Sequence, residues 1–394
     1  MAAEQKIKVV HVITQLELGG AQQNTLYTVK SLDRTRFEPV LVSGPGGILD
    51  QEARDIPQLK IHFIPSLVRP LHPLKDAIAL AALIRVFREE KPDVVHTHSS
   101  KAGILGRVAA ALIGVPLILH TYHGFGFHDR QFSWLRRMLL GIEWCAAKLS
   151  TRLIFVSRAN LETAVRHGLT FPEKSVLIRS GVPLKNFPAK GIDPQKKKTE
   201  LGVGMHKPLV VSVGNLKPQK NPEDFILLAK MVYEKNREIR FLFIGDGVLR
   251  ARLEGNLLRY GLHGKCFFPG WRRDIPEILT ASDVFVLTSL WEGLPRSLVE
   301  AMKSGLPSVC YSTDGIQDLI RDGENGYLIS PGNVELMAKK LLFLLEHDSV
   351  RKQMGQKAAE SIGPEFDIDG MVRQQEKLYQ ELAIRDPRSA IRRR

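Results

Sequence analysis

Short runs of aliphatic and β-branched residues alternate with helical patterns along this chain, in two series divided by a polar interval. The first series opens with Ile7-Lys-Val-Val-His-Val-Ile, turns at Gly19-Gly20 and enters a helical pattern from about residue 21 to 32. Val40-Leu-Val-Ser, Ile61-His-Phe-Ile, Val94-Val-His-Thr, Leu117-Ile-Leu-His-Thr and Leu153-Ile-Phe-Val-Ser follow, with helical stretches near 75–90, 101–113 and 131–149. The second series runs through Leu209-Val-Val-Ser-Val, Phe241-Leu-Phe-Ile, Cys266-Phe-Phe-Pro, Val284-Phe-Val-Leu and Ser308-Val-Cys-Tyr, with helices near 222–235, 248–261, 274–280 and 295–304. Near-continuous apolar runs mark strands buried on both faces, and strand–helix–strand repeats connect such strands in parallel.

The interval from Lys185 to Pro208, with Pro188, Pro194 and three consecutive lysines from Lys196, is the linker this pattern predicts. The chain therefore reads as α/β, with two Rossmann-like domains at 1–190 and 200–365 whose parallel sheets face each other across a cleft. Ligands of open parallel sheets bind at the carboxyl ends of the strands, so the expected site lies between the domains. A last helix near 368–384 is expected to pack back on the first domain, and 385–394 reads as a basic tail.

Composition narrows the class. With 44% hydrophobic and 25% charged residues, the chain is neither disordered nor collagenous nor a multi-span membrane protein. Cys145, Cys266 and Cys310 lie far apart, which fits a reducing compartment and argues against a disulfide framework or a cysteine metal site. The first residues lack the basic-then-apolar pattern of a signal peptide. The longest apolar run, 108–119, falls short of the ~20 residues that a spanning helix needs and is broken by Gly114 and Pro116. A cytoplasmic protein is expected, at large or at the inner face of the cell membrane. The formal charge is +14, most of it accumulated by Lys190. Such an excess attracts polyanions: nucleic acid, anionic lipid headgroups or a phosphorylated substrate. No zinc finger, RNA-recognition signature or basic zipper is present, so nucleic acid is not an expected partner.

The segment Ser282-Asp-Val-Phe-Val-Leu-Thr-Ser-Leu-Trp-Glu-Gly-Leu-Pro-Arg-Ser-Leu-Val-Glu-Ala-Met-Lys-Ser-Gly-Leu-Pro carries the most chemistry. A strand ends near Ser289, Glu292-Gly293-Leu294 turn, and Pro295 suits the first helical position because the N–H it lacks would be unpaired there. The free N–H groups and positive dipole end of that helix make a site for a diphosphate. With Pro295 as the first residue, Glu300 lies about 7 Å further along the axis. Glu292 and Glu300 then address different parts of one elongated ligand rather than acting as a paired acid and base.

This Glu-x7-Glu spacing, with Gly-x-Pro after the first Glu and Ala-Met-x-x-Gly-x-Pro after the second, resembles family 4 of the retaining glycosyltransferases, which have the GT-B fold. The Gly19-Gly20 loop, Val94-Val-His-Thr-His-Ser, His120-Thr-Tyr-His-Gly-Phe, Ile154-Phe-Val-Ser, Ser180-Gly-Val-Pro, Gly214-Asn-Leu-x-x-x-Lys220-Asn, Ile244-Gly-Asp-Gly and Phe268-Pro-Gly-Trp match it in order over nearly the whole chain. The runs at 98–107 and 123–128 look most like members that build bacterial surface polysaccharides on a polyprenyl-linked acceptor.

The resemblance implies a nucleotide-sugar donor, a UDP-sugar foremost, held as a substrate with no cofactor and no metal. It implies that Glu300 meets the ribose hydroxyls, Glu292 a hydroxyl of the transferred sugar, Gly293, Leu294 and Pro295 the sugar and phosphates, and Lys220 the diphosphate beside Gly214. Family members carry Arg directly after this glycine, whereas this chain has Asn215, and Lys217 is the loop cation placed to substitute. His123 matches the histidine near the transferred sugar, and Gly19 and Gly20 let backbone approach the substrate. The acceptor would be a saccharide or polyprenyl-linked saccharide. Two rival activities share these features: a nucleotide-sugar epimerase, and a non-catalytic nucleotide-sugar or membrane-binding protein.

Other motifs read as structural. His96 and His98 put both rings on one strand face at metal-ligand spacing, but no further ligand is apparent and strand-end packing is expected. Asp367-Ile-Asp369 precedes a helix and reads as a cap and turn. Gly245-Asp-Gly247 lacks the third glycine of a dinucleotide fingerprint, because Arg250 stands there. The stretch from Phe132 to Trp144 interleaves apolar residues with Arg136 and Arg137, so its apolar stripe faces either the core or an anionic membrane.

Overall fold

The apolar runs become two parallel sheets. The computed structural model describes residues 6–127 and 131–385. The first unit comprises β1 (Ile7–Gln15), α1 (Gly20–Ser31), β2 (Phe37–Gly44), α2 (Asp50–Arg54), β3 (Lys60–Phe63), α3 (Pro73–Glu90), β4 (Val94–His98), α4 (Ser100–Leu112), β5 (Leu117–Tyr122), α5 (Ser133–Lys148), β6 (Arg152–Phe155), α6 (Arg158–Arg166) and β7 (Ser175–Leu177). Its sheet has the order β3-β2-β1-β4-β5-β6-β7. The second unit comprises α7 (Pro194–Glu200), β8 (Leu209–Val213), α8 (Pro222–Lys235), β9 (Arg240–Ile244), α9 (Arg250–Arg259), β10 (Cys266–Phe267), α10 (Ile275–Thr280), β11 (Val284–Leu287), α11 (Arg296–Lys303), β12 (Ser308–Tyr311), β13 (Gly326–Ile329), α12 (Val334–Glu346) and α13 (Asp348–Glu360), with sheet order β10-β9-β8-β11-β12-β13. A last helix, α14 (Ile368–Arg385), belongs to the first unit.

The strand register shows why consecutive apolar residues are needed. β1 pairs in parallel with both β2 and β4, Val9 lying opposite Pro39 on one side and Val94 on the other. Val10 and Val12 pack with Leu83 and Phe87 of α3 on one face of the sheet. Ile7 and Val9 pack on the other face with Met371, Val372, Tyr379 and Leu382 of α14.

The division between the units falls at Gly181/Val182 and again at Asp367/Ile368, not in the polar interval. That interval belongs to the second unit, where Lys198 of α7 is buried and its Nζ lies 2.7 Å from Asp283 Oδ2 and 2.9 Å from the Lys207 carbonyl. A lysine run reads as solvated linker in the sequence, yet one of its members is buried and pairs with the half-buried Asp283 carboxylate. The residues read as a basic tail lie, beyond Arg385, outside the described residues, as does His128.

The apolar residues of α5 divide: Leu139 and Leu140 pack against a core cluster of the first unit, and others stay on the surface. Glu143, Ala146 and Ala147 are the buried residues of that helix, whereas Trp134, Met138, Ile142 and Trp144, with Phe132 just before them, are exposed. Its anchor is polar: Arg107 of α4, fully buried, lies 2.5 Å through Nη2 from Glu143 Oε1, and the Tyr122 hydroxyl donates to the same oxygen at 2.7 Å. Arg107 Nε donates to the Gly103 carbonyl at 2.8 Å. Removing one partner of a buried pair strands the other charge, at a cost of about 3–5 kcal/mol. Glu143→Ala is therefore expected to lower stability by about that amount in urea denaturation, and Arg107→Met combined with Glu143→Leu to recover most of it. Equal stability of the wild type and Glu143→Ala would show that α5 is held by other contacts.

Candidate active site

In the second sheet, β8 and β11 are neighbours whose following loops lead to helices on opposite sides, so the chain leaves a crevice at their carboxyl ends. Two loops line it, one at Gly214–Asn221 after β8 and one at Thr288–Pro295 after β11. They are sewn together by backbone and side-chain hydrogen bonds: the Leu290 N–H donates to the Gln219 carbonyl at 2.9 Å, Gln219 Nε2 to the Trp291 carbonyl at 2.9 Å, and the Thr288 hydroxyl faces the Lys220 and Asn221 carbonyls at 3.0 and 2.9 Å.

Across this seam Lys220 Nζ donates to Glu292 Oε1, both groups being largely shielded from water. The lysine stem lies on Gly214, where an added Cβ would sit 3.1 Å from Lys220 Cε. Lys217 occupies the same turn, its carbonyl accepting from the Lys220 N–H at 3.0 Å. Asn215 and Leu216 lie between β8 and that turn, and the Asn215 carbonyl accepts from the Lys217 N–H at 2.8 Å. Lys220 is thus held against a carboxylate of the second loop.

Gly293 and Leu294 are buried, and Pro295 differs from the sequence reading by one position. The helix α11 begins at Arg296, and Pro295 is its cap, with ψ of 102° and a carbonyl that accepts from the Leu298 N–H at 3.0 Å. An extended ψ takes Pro295 out of the helix although its φ of −73° would fit. Glu300 follows on α11, 3.9 Å through Oε1 from Arg296 Nη2. Burial pushes the Glu300 carboxyl above the usual carboxylate range, against the opposing pull of Arg296. A more basic carboxylate is a stronger acceptor for hydroxyl groups.

Asp314 is a residue that the sequence reading missed. Its Oδ2 accepts from the Glu292 N–H at 3.1 Å, and it holds a left-handed φ of 29°. Next to it, a Cβ on Gly315 would lie 1.8 Å from the Gly293 carbonyl oxygen. The only sequence signal was a Thr-Asp-Gly turn directly after a strand. Arg296, one residue after Pro295, was also passed over.

The first unit has the same kind of switch between β1 and β4. Thr14 at the end of β1 and Ser99 after β4 share a 2.8 Å hydroxyl contact. His123 follows β5, half-buried, with Nε2 3.2 Å from His98 Nδ1. Gly19 caps α1 in extended conformation (φ −164°) and Gly20 is the first helical residue. The backbone there needs no glycine, so what Gly19 contributes is the missing side chain. His96 and His98 are joined by His11, and ring nitrogens of the three lie within 4.8 Å of one another. His11 went unnoticed because it sits alone in β1, 85 residues before His96 in the sequence. Asp369 lies in the first turn of α14 and accepts from the Tyr27 hydroxyl.

Family models for glycosyl transferases group 1 and for glycosyltransferase family 4 match residues 193–361 and 18–186. The chain is 35% identical over 383 residues to an Escherichia coli UDP-Gal:alpha-D-GlcNAc-diphosphoundecaprenol alpha-1,3-galactosyltransferase, covering 96% of this chain and 98% of the relative. It is a family 4 glycosyltransferase. The transferase is also 25% identical to the Campylobacter jejuni N,N'-diacetylbacillosaminyl-diphospho-undecaprenol alpha-1,3-N-acetylgalactosaminyltransferase, over 89% of this chain and 93% of that one. Its fold is GT-B: the crystal structure of Anabaena HepE in complex with UDP-glucose superposes with a TM-score of 0.82 at 21% identity, over 95% of this chain and all of that one. No helix among the described residues is long and apolar enough to cross a membrane.

The fit of Gly315 against Gly293 makes the Glu292–Pro295 loop testable without touching a charged residue. Gly315→Ala must displace that loop, and the expected result is a thermal shift with UDP in the wild type that the variant lacks, the unliganded variant still folding cooperatively. An unchanged UDP shift would mean that the loop position does not govern nucleotide binding.

Proposed function

We propose that the transferase moves a sugar from a UDP-sugar, with retention, to a lipid-linked saccharide acceptor in surface polysaccharide synthesis at the cytoplasmic face of the membrane. The observation that carries this reading is the Lys220–Glu292 pair in the crevice beside the start of α11. Without ligand, the two charges satisfy each other. A donor divides them by chemistry, its diphosphate taking the lysine and a sugar hydroxyl taking the carboxylate, so neither is left unpaired.

In this reading Glu300 accepts from the ribose hydroxyls, while Gly293, Leu294 and Pro295 bring backbone and the first N–H groups of α11 to sugar and phosphate. Lys217 supplies the second phosphate cation where Asn215 leaves the loop neutral, and Gly214 admits the Lys220 stem. As the bond between the anomeric carbon and the diphosphate oxygen breaks, negative charge grows on the leaving UDP, and lysine and oriented N–H groups stabilise it. The acceptor oxygen forms the new bond on the same face, and its proton passes to the departing phosphate. His123 addresses the transferred sugar, and Gly19 and Gly20 leave room for the acceptor. The diphosphoundecaprenol acceptors and the UDP-Gal donor named for the relatives support the acceptor class and the base.

Transfer of label from UDP-galactose, UDP-glucose or UDP-N-acetylhexosamine to a polyprenyl-diphosphate saccharide tests this. Lys220→Ala and Glu300→Ala are each expected to lower kcat/KM by about a hundredfold or more, and Lys217→Ala by less. Interconversion of the donor sugar without acceptor would favour an epimerase, and nucleotide binding without turnover of any donor a silent binder.

The exposed face of α5 gives the acceptor's membrane a place to rest. Phe132, Trp134 and Trp144 are exposed there with Arg137, Lys148 Nζ lies over the Trp144 ring at 3.3 Å, and an apolar groove of about 540 Å³ lined by Ile104, Val108, Met138 and Ile142 runs beside them. Basic residues near an anionic surface contribute about 1 kcal/mol each. The protein is expected to float with anionic vesicles at low salt, and Arg136→Glu with Arg137→Glu to abolish flotation. Equal recovery with neutral vesicles would remove the electrostatic part of this reading.

A further inference from the structure

Behind His123 lies a row of histidines that the transfer reaction, as described, does not use. His98 Nδ1 is 3.2 Å from His123 Nε2, and His98 Nε2 is 3.1 Å from His11 Nδ1. The His11 and His98 rings are stacked, 10° from parallel. Beyond them the row stops, because His11 Nε2 is buried and has no hydrogen-bond partner among the described residues. His96 cannot extend it: its Nδ1 is 2.6 Å from the Tyr379 hydroxyl and its Nε2 2.7 Å from the Thr121 hydroxyl. A metal ion shared by His11, His96 and His98 would have to break one of those two contacts.

Burial drives His11 down to about 3 and His98 well below the ordinary histidine range, so both are neutral near pH 7. A neutral imidazole has one N–H and one bare nitrogen. Each of the two contacts in the row therefore holds a single proton, and only two arrangements satisfy both. With the protons pointing inward, His123 donates to His98, His98 donates to His11, and His11 carries an N–H on Nε2 that nothing accepts. With the protons pointing outward, His11 Nδ1–H donates to His98 Nε2 and His98 Nδ1–H donates to His123 Nε2. His11 Nε2 is then a bare lone pair. Orphaned buried N–H groups are the rarer defect, which selects the outward arrangement.

We propose that His98, backed by His11, is a positioning residue that fixes the tautomer of His123, occupying Nε2 as an acceptor and leaving the proton on Nδ1. Nδ1 of His123 is then a hydrogen-bond donor and not a base. This rests on the assignment of His123 to the transferred sugar. It adds which nitrogen carries the proton and what puts it there.

The tautomer is read directly by long-range proton–nitrogen correlation spectra of the full-length protein labelled with ¹⁵N-histidine, His123 being assigned from a His123→Gln spectrum. The expected spectrum shows a protonated Nδ1 and a bare Nε2 at His123. His98→Leu removes the donor and should return His123 to a mixture of tautomers, with kcat lower by about a hundredfold and KM for the donor sugar little changed. His98→Asn places an amide N–H near the lost Nδ1–H and should restore both the tautomer and most of kcat. A protonated Nε2 at His123 in the wild type would overturn the proposal, and so would an unaltered tautomer in His98→Leu. Where His98→Leu fails to fold, as judged by its unfolding transition, the wild-type and His98→Asn spectra decide. Full transfer by His123→Ala would instead sink the assignment of His123 to the sugar, which the tautomer spectra do not depend on.

Discussion

A parallel strand pair needs a crossover connection, and crossovers in one sheet share one hand. Where the chain reverses its direction of progress across the sheet, between β8 and β11 in the second unit and between β1 and β4 in the first, helices leave on opposite sides and the two loops separate. The Lys220–Glu292 pair and the Thr14–Ser99 contact sit at those two gaps. Lys220 and Glu292 come from loops 72 residues apart, and nothing local in either loop would hold a lysine against a carboxylate. The strand order does, by setting their parent strands side by side.

Such a crevice exposes charge, and the second unit handles it by pairing. Lys220 and Glu292 neutralise each other, Arg296 stands by Glu300, and Asp314 takes the Glu292 N–H. The first unit handles its gap differently, with neutral imidazoles and hydroxyls. Four buried histidines, His11, His96, His98 and His120, sit at or beside the carboxyl ends of its central strands, and burial holds all four well below their ordinary range. Paired charges thus gather at the gap of one unit and neutral imidazoles near the gap of the other.

The strands were legible in the sequence where both faces are buried, because near-continuous runs such as Leu209-Val-Val-Ser-Val have no other use. Of the edge strands, β3 and β10 were read from their aromatic and aliphatic runs, whereas β7 and β13, at three and four residues, were not. The helix α13 escaped for a related reason: it buries only Met354, Gly355 and Ala358, and small residues leave no apolar stripe. The Glu292 and Glu300 segment was legible because Gly-x-Pro and Ala-Met-x-x-Gly-x-Pro fix its turns. Asp314 and His11 were not, because each acts through a partner far away in sequence. The misplaced boundary has the same origin, since composition does not reveal that Lys198 finds Asp283.

The return of α14 to the first sheet has a consequence for biosynthesis. Met371, Val372, Tyr379 and Leu382 cover Ile7, Val9, Leu117 and Leu119, and the Tyr379 hydroxyl is the partner of His96. Domains generally complete their folding from the N-terminus as the ribosome releases them. Here the part of the first sheet that α14 covers stays open until that helix has emerged, so the second unit, begun later, is the first that can be finished.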